Sequence, residues 1–193
     1  MLENLRNYKI TLASNSPRRH ELLKGLGIDF TIKTLENVDE SYPLTLAPVD
    51  VAKHIAQKKA DAYKELIGED ELLITADTVV VANDEILGKP KDRVDAQRML
   101  SLLSGITHEV VTGVCIVTKE KTILFDSKTE VTFSKLSESE INYYIDTFAP
   151  YDKAGAYGIQ EWIGFVAVES MAGSYFNVMG LPIQRLYREL LKV

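Results

Sequence analysis

The run Leu12-Ala13-Ser14-Asn15-Ser16-Pro17-Arg18-Arg19 sets two hydroxyls and two guanidinium groups at the junction of a strand and a helix. The first helical turn leaves backbone N–H groups without partners and carries the positive end of the helix dipole. Such a junction attracts anions, and Ser14, Ser16, Arg18 and Arg19 would complete a site for phosphate. The same residues also fit a plain helix start, in which Ser16 only caps and both arginines are solvated. The Gly-x-x-x-x-Gly-Lys pattern of a Walker loop is absent.

Asp77 lies inside the apolar run Leu72 to Val81. A carboxylate there must be paired, metal-bound or shifted in pKa, because burying it alone is costly. The bland reading places it at a strand end, bonded to loop backbone. Lys59 follows Ile55 by one turn on the stripe Val51, Ala52, Ile55, Ala62, Tyr63 and Leu66 of a helix beginning at Pro48. Its ammonium either snorkels past the core edge or points into a polar site. Its neighbour Lys58 reads as solvated.

Asp39 and Glu40 fall in the acidic loop Glu36-Asn37-Val38-Asp39-Glu40. Together with Asp77 they could hold a hard divalent cation shared with phosphate oxygens, although acidic loops are usually just solvated. In Lys153-Ala154-Gly155-Ala156-Tyr157-Gly158-Ile159-Gln160, glycines permit close backbone approach. Tyr157 offers a stacking surface there, and Gln160 an amide able to read a base edge. The segment also fits a tight structural loop.

Other chemistries find less support. His20, His54 and His108 have no ligand spacing, which disfavours zinc, and no Gly-x-Ser-x-Gly elbow is present. The single cysteine, Cys115, sits in Val114-Cys115-Ile116-Val117 and reads as a core thiol.

The elements that must position these groups alternate between strands and helices. Strands are expected at Tyr8 to Ala13, Phe30 to Leu35, Leu72 to Ala82, His108 to Thr118, Thr122 to Phe133 and Gly164 to Val168. One helix opens at Ser16-Pro17 and stops at Gly25 or Gly27, and a second runs from Pro48 to Leu66. A third lies between Asp92 and Gly105, and a fourth runs from the capping box of Ser137 and Glu140 to about Thr147. The last starts at Pro182. Turn-linked and helix-linked strands together predict an α/β fold with a mixed sheet and flanking helices.

The 193 residues carry no repeat or linker and are read as one domain over 1–193. With 22 Lys+Arg against 28 Asp+Glu the formal charge is -6, the wrong sign for a polynucleotide partner but compatible with a small anion in a local basic pocket. No apolar stretch approaches a membrane span of ~20 residues. The opening MLENLRNYKI lacks the apolar core of a leader peptide, so a cytoplasmic location is expected.

Five segments taken together closely resemble the Maf family of nucleoside triphosphate pyrophosphatases. They are Leu12 to Leu23, Ala76-Asp77-Thr78-Val79-Val80, Gly88-Lys89-Pro90, Lys153 to Gln160, and Asn177-Val178-Met179-Gly180-Leu181-Pro182. One departure is Asn15, where many members have glycine or another small residue.

The resemblance implies a twisted mixed sheet in two lobes around a cleft, as in inosine triphosphate pyrophosphatases. It also implies a divalent cation, magnesium or manganese, and hydrolysis of a nucleotide to monophosphate and pyrophosphate. By position, Asp77 resembles the general base, and Ser14, Arg18, Arg19, Lys59 and Lys89 resemble phosphate binders. Glu40 resembles the acidic residue that, with Asp77, holds the metal. Arg18, Thr78 and Gln160 match the subgroup acting on dTTP and UTP, with Thr78 and Gln160 reading the base.

A homodimer is a further expectation of the resemblance. The alternatives are a sister specificity, for CTP or methylated GTP, and a nucleotide-binding regulator of septum formation.

Overall fold

The computed structural model describes residues 2–193. In chain order the elements are β1 (Lys9–Leu12), α1 (Pro17–Lys24), β2 (Thr31–Ile32), α2 (Pro48–Tyr63), β3 (Glu71–Ala82), β4 (Glu85–Leu87) and α3 (Arg93–Leu103). There follow β5 (Thr107–Val117), β6 (Thr122–Phe133), α4 (Glu138–Phe148), α5 (Trp162–Val166), β7 (Val168–Ala172), α6 (Tyr175–Met179) and α7 (Ile183–Leu190). The seven strands pair in the order β2-β1-β3-β5-β6-β7, with β4 added on β3. β1 is parallel to β2 and β3, whereas β3 with β4 and β6 with β7 are antiparallel. The mixed α/β sheet expected from the pattern is therefore present.

The chain divides into two compact units. The first comprises Met1–Asp77, Thr112–Ser127 and Gly180–Val193. Its helix α2 begins with Pro48 in the first turn, where the missing N–H costs nothing. The buried face is Val51, Ala52, Ile55, Ala56, Ala60 and Tyr63. Ala52, Ala56 and Ala60 recur every four residues, and this small-residue stripe lets the helix lie close to the sheet. At Gly113 on β5 a Cβ atom would come within 2.4 Å of the Ala52 carbonyl group. Only glycine fits there without moving the helix.

The second unit comprises Thr78–Val111 and Lys128–Met179. Asp92 caps α3 by accepting from the Asp95 N–H at 2.8 Å. Ser137 and Glu140 form the anticipated capping box of α4. Leu100 and Leu103 of α3 and Ile141, Tyr144 and Ile145 of α4 are buried in one core cluster with Phe133.

Several sequence expectations are corrected. Gly164 to Val168 is not a strand, since α5 spans Trp162–Val166 and β7 starts at Val168. A Cβ at Gly164 would fall 1.7 Å from the Ile159 carbonyl oxygen, so the glycine serves a tight helical turn. Such short apolar runs do not separate helix from strand by periodicity.

The second strand shrinks to Thr31–Ile32, because Tyr63 Oη takes the N–H of Leu35 at 2.7 Å and leads the chain away from the sheet. Beyond Tyr63 the helix passes into a 3-10 turn at Lys64–Leu66. Ala62 and Leu66, expected on the buried stripe, are exposed. The short helix α6 had no counterpart in the sequence pattern.

Candidate active site

In the first unit the site residues gather at the carboxyl end of β1 and beside the middle of β3. Open parallel sheets bind their ligands outside the carboxyl ends of the strands. The parallel register puts Leu12 opposite Ile74. The Ala13 N–H still donates to the Ile74 carbonyl at 2.9 Å, so the chain leaves the sheet at Ser14 close to the stretch of β3 that carries Asp77.

Ser14 is buried, and its Oγ accepts from the Ser16 N–H at 3.2 Å. The Ser16 side chain makes no capping bond, so the expected cap is replaced by this turn. His20 Nε2 donates to the Ser14 carbonyl at 2.6 Å and pins the turn from the helix side. Arg18 is half-buried on the first turn of α1.

Arg19 points back to the strand. Its Nη1 donates to the Ala76 carbonyl and its Nε to the Gly180 carbonyl, each at 2.8 Å. Burial pulls the guanidinium pKa down while the charge of Asp77 raises it. An arginine remains charged under such opposition. Arg19 thus braces the backbone next to Asp77, a task the sequence did not reveal.

Asp77 lies in mid-strand, not at a strand end. Its Oδ1 is 2.8 Å from Lys59 Nζ, and Glu40 Oε1 approaches the same nitrogen at 2.9 Å. The side chains of Lys59 and Asp77 are 16% and 15% exposed, whereas that of Glu40 is 54% exposed. The inward reading of Lys59 therefore holds, and the half-buried carboxylate has its partner.

The acidic loop is laced to α2 on either side of Glu40. Lys58 donates to Asp39, and also to the carbonyl and hydroxyl of Ser41, both at 3.0 Å. Further along the helix, Tyr63 Oη donates to the Lys33 carbonyl at 3.1 Å. Lys58 is thus a loop anchor and not a solvated charge. Asp39, offered above as a metal ligand, is engaged by Lys58 and Ser41, which hold its carboxyl well below the usual carboxylate range.

Among the described residues no group of three or more His, Cys, Asp or Glu side chains gathers around a metal position; Glu40 and Asp77 are the two carboxylates that could share a cation. Two hard carboxylate oxygens face one cationic position, and magnesium commonly takes one or two carboxylates and completes its shell with water and phosphate. Lys59 holds the positive charge between them in this structure.

The second unit holds Thr78, Lys89 and Gln160. The Gly155 N–H donates to the Gly88 carbonyl at 3.0 Å, which brings the Gly88-Lys89-Pro90 loop to the Lys153–Gln160 segment. Gly155 has φ +67°, and a Cβ there would lie 2.8 Å from Val80 Cγ2, so both backbone and space require glycine. Lys89 is exposed, and Thr78 is half-buried on β3. Gln160 Oε1 is buried without a hydrogen-bond partner among the described residues.

Tyr157 is not the stacking surface suggested by its position. It is buried, bonds His108 Nε2 at 2.9 Å and packs edge-on against Phe133. Burial pulls the His108 pKa down to about 4. Cys115 is a core thiol as expected, its pKa pushed up to about 12 by burial.

Lys153, Glu161 and Tyr144 escaped sequence reasoning as a group. Lys153 is buried and ion-paired to Asp152 at 2.7 Å and to Glu161 at 3.0 Å. Its position inside a glycine-bearing run was the one available signal. Tyr144 on α4 gave none. Asn177 is buried and donates to the Val110 carbonyl at 3.0 Å and to Thr129 Oγ1 at 2.9 Å, a bracing role.

Hydroxyls, cations and two carboxylates gather at the end of β1 and beside β3 of a mixed α/β sheet, a set of groups that can engage a small anionic ligand. The family model described as Maf-like protein matches residues 9–193, and the chain belongs to that family. It is 60% identical over 190 residues to a protein of Bacteroides fragilis named dTTP/UTP pyrophosphatase, with 98% of each chain covered. A protein of the same name from Phocaeicola vulgatus is 56% identical over 193 residues, covering 100% of both chains. The one from Parabacteroides distasonis is 55% identical, with 98% of each chain covered. Among solved structures, a HAM1 protein from Coxiella burnetii aligns at TM-score 0.49 and 15% identity, over 96% of this chain and 100% of its own.

Proposed function

We propose that this chain is a nucleoside triphosphate pyrophosphatase that hydrolyses dTTP and UTP to the monophosphate and pyrophosphate. The observation that carries the chemistry is the convergence of Asp77 and Glu40 on Lys59 Nζ. The names and full-length identity of its relatives support the substrate class.

Phosphoryl chemistry needs alignment and charge neutralisation more than covalent help. Asp77 orients a water and takes its proton as the water oxygen bonds the α-phosphorus. The bond from that phosphorus to the bridging oxygen breaks, and the electron pair leaves with pyrophosphate. Ser14, Arg18, Arg19, Lys59 and Lys89 bind phosphate oxygens along the triphosphate. Thr78 and Gln160 read the pyrimidine, whose imide edge carries one donor and two acceptors.

Glu40 and Asp77 would hold a divalent cation, magnesium or manganese, which supplies charge neutralisation at the phosphates. The same reading includes a cytoplasmic location, a homodimer and no polynucleotide partner.

Pyrophosphate release from a panel of nucleoside triphosphates with each cation tests the proposal. Preferential turnover of dTTP and UTP is expected. Nucleotide binding without turnover would instead favour the regulatory reading, and preference for CTP or a methylated GTP a sister specificity.

A further inference from the structure

The segment that carries Gln160 is held by a buried polar frame that no step of the hydrolysis uses. Tyr144 is fully buried on α4, and its hydroxyl accepts from the Gly158 N–H at 2.9 Å. The same hydroxyl donates to Glu161 Oε2. The other oxygen of Glu161 lies 3.0 Å from Lys153 Nζ, and that lysine side chain is only 9% exposed. The frame therefore grips the segment at positions 153, 158 and 161, and Gln160 lies between the last two.

Packing ties the Gln160 amide to the same frame. A Cβ at Gly158 would sit 2.9 Å from Glu161 Cδ and 3.0 Å from both Gln160 Nε2 and Lys153 Cε. The three side chains thus close over one glycine. Desolvation also raises the Tyr144 pKa, and Glu161 reinforces it, so the hydroxyl keeps the proton it donates. Gln160 Oε1, by contrast, is buried without a partner among the described residues. A fixed orphan acceptor is costly until a ligand presents a donor to it. The N3–H of an imide pyrimidine is such a donor, whereas cytosine has no hydrogen at N3.

We propose that Tyr144, Glu161 and Lys153 are positioning residues for base selection, holding the Gln160 amide so that its acceptor meets the N3–H of the base and favours imide pyrimidines over cytosine. This rests on the reading of Gln160 as the group that contacts the base.

The test uses Tyr144→Phe, which keeps the ring stacked on Phe148 at 5.1 Å and removes only the hydroxyl. Glu161→Gln is the second variant, keeping a side chain of similar shape without the charge that pairs with Lys153. Steady-state pyrophosphate release is measured with dTTP, UTP and CTP, and amide exchange is followed at Gly158.

Tyr144→Phe is expected to raise KM for dTTP and UTP about tenfold with kcat within about twofold, the scale of one lost hydrogen bond. The preference for dTTP over CTP should narrow by about the same factor, and Gly158 exchange should quicken. Glu161→Gln should move in the same direction. In a Gln160→Ala background, neither change should narrow the preference further.

Unchanged KM and preference in the presence of faster Gly158 exchange would overturn the proposal, as would a fall in kcat alone. If Tyr144→Phe does not fold, Glu161→Gln with and without Gln160→Ala decides by the same criteria. Failure of the unaltered chain to act on any pyrimidine triphosphate is a different result, because it removes the functional reading on which the inference stands.

Discussion

Thr75 Oγ1 donates to the carbonyl oxygen of Ala56 at 2.7 Å, joining strand β3 to the middle of helix α2. Thr75 and Asp77 are two residues apart in the strand and share a face, while Ala56 and Lys59 are nearly one turn apart in the helix. That bond therefore sets the height at which the lysine meets the aspartate. A hydroxyl buried among apolar side chains thus helps position the chemistry one step away.

Thr75→Val should keep the shape of the side chain and lose the bond. The expected cost is about 1 kcal/mol of stability, read from urea unfolding, with a drop in kcat/KM as Lys59 and Asp77 lose their common register. Unaltered turnover in a destabilised variant would separate the two effects and count against the registering role.

Asp77→Asn should fold normally and lose at least about a hundredfold in pyrophosphate release, because the amide can neither take a proton nor carry charge to the cation. Near-normal release would remove Asp77 from the reaction.

Lys59→Met leaves Asp77 and Glu40 facing one another without the ammonium. Turnover should fall by about a hundredfold or more, as charge on the phosphates goes unbalanced. Without nucleotide, the freed carboxylates should bind manganese about tenfold more tightly than in the parent chain, as seen by electron paramagnetic resonance of free manganese. Unchanged manganese binding would show that the two carboxylates do not form a cation site.

His108 predicts an acid limb in stability. Its folded pKa of about 4 lies below the ordinary 6.5 because burial disfavours the charged ring. Between those values the unfolded chain binds more protons, so stability is full above about pH 6.5 and falls on acidification towards pH 4. The total loss from this residue is about 3 kcal/mol. Urea unfolding over that range should show the slope, and His108→Leu should flatten it.

The sequence was most legible where local rules act alone. The caps of α3 and α4, the proline start of α2 and the long strands β3, β5 and β6 follow from caps and apolar patterning, and they appear within a few residues of expectation. The paired carboxylate was legible too, because an aspartate inside Leu72 to Val81 must find a partner. Misreadings arose where a contact distant in sequence overrode a local tendency. The Gly164 region became helix against the backbone of Ile159, Tyr157 turned to His108 in the core, and Lys58 reached Asp39 nineteen positions away.

By itself, then, the sequence determined the α/β alternation, the acidic balance that disfavours a long anionic partner, and the residue types around which phosphate chemistry could be built. Periodicity, capping and burial cost are written in neighbouring positions, which is why they can be read from a string. Only the tertiary structure decided that Glu40 and Asp77 meet at Lys59, that Arg19 braces the strand beside Asp77, and that Tyr144 and Glu161 frame Gln160. These pairings depend on strand register and on how closely a helix approaches a sheet. Both are set by packing among residues far apart in the chain.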